Sequence, residues 1–141
     1  MMEEGINILQ VEDSRADAVL VKKILDRSKL KTNISVVSDG EKALDYLFHR
    51  GDYEDRDKYP RPDLVLLDLR LPKLDGTGVL KRIREQEHLK DLPVVIFTSS
   101  ERDEDIIRTY EDGAGGYLLK SAFAKKSTKM DGLLDIILSL T

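Results

Sequence analysis

The sequence predicts an α/β fold in which one parallel sheet is covered by helices on both faces. Five short runs rich in Ile, Val and Leu recur along the chain. Each is near-continuously apolar rather than alternating, as expected of strands buried on both sides. The segments between them carry apolar residues at helical spacing instead, so strand and helix alternate from end to end.

The elements follow in order. "INILQV" (6–11) is the first strand, and in "SRADAVLVKKILDRS" the residues Ala16, Leu20, Val21, Ile24 and Leu25 share one helical face. "ISVVS" (34–38) is the second strand, and "EKALDYLFHR" groups Ala43, Leu44, Leu47 and Phe48. The charged, proline-containing stretch "GDYEDRDKYPRP" (51–62) reads as an exposed loop. "LVLL" (64–67) is the third strand, followed by a helix with Val79, Leu80 and Ile83 on its apolar face. "VVIFT" (94–98) is the fourth strand. The next helix offers Ile106, Ile107 and Tyr110 and stops at Gly113. "GYLLK" (116–120) is the fifth strand. The lysine-rich stretch 121–132 delays a last helix bearing Leu133, Leu134, Ile136, Ile137 and Leu140. A single domain over residues 1–141, with no output domain, is the expectation.

Composition narrows the function. Hydrophobic residues at 40% and charged residues at 35% describe an ordinary folded domain. A formal net charge of −4 argues against nonspecific nucleic-acid or acidic-membrane binding. With no cysteine, disulfides, thiol catalysis and thiolate-bound metals are excluded. His49 and His88 show no ligand spacing and read as surface or helix-end residues. There is no signal-peptide pattern and no run of apolar residues long enough for a membrane span, so a cytoplasmic location is expected.

The informative pattern is where the polar residues fall. The first strand runs into Glu12 and Asp13, the third into Asp68, the fourth ends on Thr98 and the fifth on Lys120. In an open parallel sheet these carboxyl ends share one edge, where ligands bind. Taken alone, each has an ordinary reading: an acid after a strand commonly caps a helix, and a terminal Lys is commonly solvated. Taken together they are a set. Clustered carboxylates either take up protons or hold a cation. With no soft ligand present, the natural cation is Mg2+. A carboxylate beside such an ion is a nucleophile for phosphorus, and Lys120 and Thr98 would hold the transferred oxygens.

These motifs resemble the receiver domain of two-component response regulators over residues from about 6 to 123. "LQVEDS" is similar to the family's acidic pair, "LVLLDLRLPKLDG" to its phosphoacceptor strand and loop, "PVVIFTSS" to its switch segment, and "GAGGYLLK" to its last strand. The resemblance implies a flavodoxin-like (βα)5 sandwich with sheet order 2-1-3-4-5. It implies phosphorylation at Asp68, with Mg2+ held by Glu12, Asp13, Asp68 and the backbone carbonyl of Arg70. It makes Thr98 the switch hydroxyl, Tyr117 the aromatic that changes rotamer, and Lys120 the phosphate-binding lysine. Arg70 and Ser100 would tune the lifetime of the phosphate. One position departs: Ser121 follows the lysine where the family usually has proline, and a cis bond before a non-proline residue costs about 2.5–4 kcal/mol.

"DGEKALDYLFHRGDY" and "IIRTYEDGA", with the charged loop, further resemble stand-alone regulators that partner phytochrome-type histidine kinases. The function implied is that of a phosphoacceptor rather than an enzyme. Its output would pass through a protein-interaction surface, with a homodimer through the fourth helix, last strand and last helix. Two other readings stay open: a receiver-like module that is never phosphorylated, and a Mg2+-dependent phosphoaspartyl hydrolase. The hydrolases of similar fold have a second aspartate two residues after the nucleophile, where this chain has Arg70.

Overall fold

A computed structural model describes residues 5–27, 31–99 and 102–120. The element order is β1 (Ile6–Val11), α1 (Arg15–Arg27), β2 (Thr32–Val37), α2 (Gly40–Leu47), β3 (Leu64–Leu67), α3 (Gly76–Glu85), β4 (Val94–Thr98), α4 (Asp103–Glu111) and β5 (Gly116–Leu119). The strands form one parallel sheet in the order β2-β1-β3-β4-β5. The doubly wound arrangement and the strand order expected from the sequence are both present. Ser100, Ser121 with its preceding bond, and the last helix lie outside the described residues.

The continuous apolar runs are explained by the sheet's centre. All of β3 and β4 are buried, as each side chain meets an apolar layer on its own face. One layer joins Leu9, Val11, Val65, Leu67 and Ile96 to α2 and α3 through Ala43, Leu44, Val79 and Ile83. The other joins Ile8, Leu64, Leu66, Val95 and Phe97 to α1 through Val21, Ile24 and Leu25. β2 differs from the expectation of a strand covered on both faces. It starts two residues earlier and lies at an edge, so Asn33 and Val36 are exposed. Ala16 and Tyr110 are exposed as well, because the first turn of α1 and the last turn of α4 overhang the core they begin or leave.

Capping side chains begin three of the helices. Ser14 Oγ accepts from the Asp17 amide at 3.2 Å, Asp39 Oδ1 from the Lys42 amide at 2.8 Å, and Asp75 Oδ1 from the Gly78 amide at 3.1 Å. The charged loop after α2 is largely exposed, but it is anchored. It opens with a short 3-10 turn at Gly51–Tyr53, and Tyr53 and Tyr59 pack on Tyr46 with ring centroids 5.3 and 5.6 Å away. His49 ends α2 in the left-handed region (φ 54°), and its Nε2 lies 2.9 Å from the Tyr59 carbonyl.

Candidate functional site

Strand register assembles the site. Val11 pairs with Leu67, so the next residues, Glu12 and Asp68, leave adjacent strands side by side. Thr98 pairs with Leu119, which places Lys120 just beyond it. Alternation then selects the face. Glu12 follows Ile8 and Gln10, Asp68 follows Leu64 and Leu66, and Lys120 follows Leu118, so all three project on the α1 side of the sheet. Thr98, in phase with Ile96, lies on the other side and is fully buried. Tyr117 pairs with Ile96 and packs, half-buried, against that same layer.

Lys120 is the hub. Its Nζ donates to Asp68 Oδ2 at 2.8 Å and to Glu12 Oε2 at 2.9 Å, and it pairs with Asp17 Oδ2 at 2.9 Å. Glu12 and Asp68 are buried and Asp13 is exposed. The acid pair does not cap α1, since Ser14 does so and Glu12 Oε2 instead accepts from the Ser14 amide at 3.2 Å. Asp68 is held from both sides of its own backbone. Its amide donates to the Val11 carbonyl at 3.1 Å, and its Oδ1 accepts from the Arg70 amide at 3.2 Å. The Arg70 side chain turns away from this centre and approaches Asp105 on α4 at 3.9 Å.

Burial shapes the charges. Desolvation pushes the Glu12 carboxyl up to about 7; the Lys120 ammonium opposes this, and the negative charge of Asp68 adds to it. Burial by itself would lower Lys120. Its hydrogen bonds to Asp68, Asp17 and Glu12 outweigh that and raise it, so the ammonium persists throughout the physiological range.

A divalent cation fits the acidic end of this set. Glu12, Asp13 and Asp68 each offer a carboxylate oxygen, all within 4.8 Å of one another. Glu12 Oε1 is buried and has no hydrogen-bond partner among the described residues. An orphaned carboxylate oxygen is costly in a dry site and is satisfied by a hard cation.

One member of the cluster, Asp17, was absent from the set read along the strand ends, because it comes from a helix. The signal for it lies in α1: Asp17 precedes the buried Val21 by four residues and the buried Ile24 by seven, on the inward stripe at the top turn. No helix among the described residues is long and apolar enough to cross a membrane.

Comparison with known proteins agrees with this geometry. A profile for the response regulator receiver domain matches residues 8–130. The response regulator Rcp1 of Synechocystis is 43% identical over 123 residues, which is 87% of this chain and 82% of Rcp1. The crystal structure of the Mn2+-bound form of Rcp1 superposes with a TM-score of 0.78 at 39% identity, covering 93% of this chain and 88% of that one. The phosphorylated cyanobacterial phytochrome response regulator RcpA gives 0.78 at 35% identity, covering 95% and 89%. A five-stranded sheet in this order, carrying an acid cluster bound to a lysine at its carboxyl edge and matched over most of its length by such relatives, places the chain in the response regulator receiver domain family.

Proposed function

We propose that this receiver domain accepts a phosphoryl group on Asp68 from the phosphohistidine of a partner histidine kinase, with Mg2+ as the metal. The observation that carries the reading is the Lys120 ammonium, hydrogen-bonded to both Asp68 and Glu12 at the carboxyl edge of the sheet. Such a group is placed to neutralise charge arriving at Asp68.

Glu12, Asp13, Asp68 and the backbone carbonyl of Arg70 would hold the metal. Bound there, Mg2+ supplies charge neutralisation to the transferred oxygens. Asp68 attacks phosphorus, its new O–P bond replacing the P–N bond of the phosphohistidine, whose imidazole leaves with the electron pair. Lys120 and the Thr98 hydroxyl take phosphoryl oxygens. Thr98 moves toward the site, and Tyr117, packed on the same side of the sheet, turns into the space it leaves. Arg70 and Ser100 set the lifetime of the phosphate.

The added charge is read out at the surface of α4, β5 and the last helix, by a protein partner or a second copy. Phosphoryl transfer and autodephosphorylation are the only chemistry assigned to it. The similarity to RcpA, a cyanobacterial phytochrome response regulator, supports a kinase of the phytochrome type as the phosphoryl donor. The test is labelling by acetyl phosphate in Mg2+: the wild type should acquire an acid-labile label and Asp68→Asn should not. Undiminished labelling of the variant would remove Asp68 as the acceptor.

A further inference from the structure

An ammonium has three N–H donors, and Lys120 directs them to three carboxylates on three different elements. Two of these, Glu12 and Asp68, are the acids that a metal and a phosphoryl group would claim. The third, Asp17, belongs to neither. It sits in the first turn of α1, where the helix dipole favours a negative charge and where Ser14 Oγ fixes its backbone amide at 3.2 Å. Its side chain is one-third exposed, against 14% for Lys120 and 6% or less for the other two partners. Asp17 therefore holds the lysine from the solvent side, opposite the sheet.

We infer that Asp17 is a positioning residue for Lys120. It keeps the ammonium at the pocket when a metal draws on the charge of Glu12 and Asp68, so that Lys120 is in reach of the incoming phosphoryl oxygens rather than released to solvent. Glu12 can meet a cation through Oε1 while Oε2 stays on Lys120, but both acids would then share their charge with the metal, and without Asp17 the lysine would be held by these weakened partners alone. The chain has particular use for such an anchor, because Ser121 provides none of the backbone restriction that a proline would impose after Lys120.

The inference rests on the phosphoacceptor reading, and the test separates the two. Protein carrying isotope-labelled lysine is followed by nuclear magnetic resonance with and without Mg2+, the Lys120 ammonium being assigned by its loss in Lys120→Met. A hydrogen-bonded ammonium exchanges its protons slowly enough to be seen. In the wild type the Lys120 signal should persist on adding Mg2+. In Asp17→Asn it should vanish when Mg2+ is added, and acetyl phosphate labelling should slow about fivefold, the effect of losing one partly exposed ion pair. Asp17→Glu, which keeps a carboxylate within reach, should restore both. A Lys120 signal that survives Mg2+ in Asp17→Asn, or labelling that Asp17→Glu fails to rescue, would overturn the role of Asp17. A wild type that neither binds Mg2+ nor takes up label would overturn the phosphoacceptor reading, and this inference with it.

Discussion

Gly76, the first residue of α3, lies directly against the backbone carbonyl of Asp68, and its amide donates to the Leu69 carbonyl at 2.9 Å. A side chain here would overlap the Asp68 carbonyl and the Leu69 α-carbon, both of them backbone. Gly40 is pressed in the same way on the Leu74 carbonyl, so the starts of two helices pack through bare α-carbons around the loop that leaves Asp68. Gly76→Ala should destabilise the fold by about 1–3 kcal/mol, as overpacking does. It should also slow labelling of Asp68 by shifting its backbone. Urea unfolding and an acetyl phosphate time course measure the two effects, and unchanged values for both would contradict the close packing.

Glu12 makes metal binding depend on pH. Its carboxyl is pushed up to about 7, chiefly by burial, and a cation must displace the proton. Mg2+ affinity should therefore be high at pH 8 and fall about tenfold per pH unit once the pH is well below 7. Calorimetric titration at several pH values reads this directly. A flat profile between pH 6 and 8 would show that Glu12 carries no proton in that range.

The same group sets a stability trend in the metal-free protein. An acid whose folded value lies above its unfolded one binds more protons when folded, so stability falls as pH rises from about 4.5 to about 7. Glu12→Gln removes that proton from the balance. The wild type should lose stability relative to Glu12→Gln across this window, and added Mg2+ should reduce the difference at pH 8. Thermal unfolding of both proteins at pH 5 and pH 8 checks the sign.

Arg84 ties three segments together away from the site. Its guanidinium donates to the carbonyls of Leu89, Lys90 and Leu92 after α3, and to that of Gly113 after α4, at 2.7–3.4 Å. Gly113 adopts φ +99°, and a side chain there would press on Arg84 Nε. Arg84→Ala should cost about 1–3 kcal/mol, because it takes the Arg84 donor from the part-buried Leu92 carbonyl and removes a half-buried side chain. Lys22→Ala, which removes only the exposed Lys22–Asp26 pair, should cost less than about 0.5 kcal/mol. Denaturant unfolding of the two variants side by side tests the contrast.

Strand positions and the polar ends of four strands were legible along the chain, since period and residue type are local properties. Glu12, Asp68 and Lys120 were read as one set from their places at strand ends, and register brings them within hydrogen-bonding distance. β2 was harder to read: "TNISVV" has strand chemistry, but only its place at the edge of the sheet exposes Val36. Likewise Tyr53 and Tyr59 sit in a stretch whose charge reads as solvated loop, yet they fold back and pack on Tyr46 of α2.

By itself the sequence determined the alternation of elements, the fold class and which acids stand at the carboxyl edge. Each of these follows from patterns a few residues long. The tertiary structure decided who holds Lys120. Asp17 and Lys120 are 103 positions apart in the chain, and no local pattern links them. They meet because α1 packs on the same face of the sheet to which alternation sends Glu12, Asp68 and Lys120.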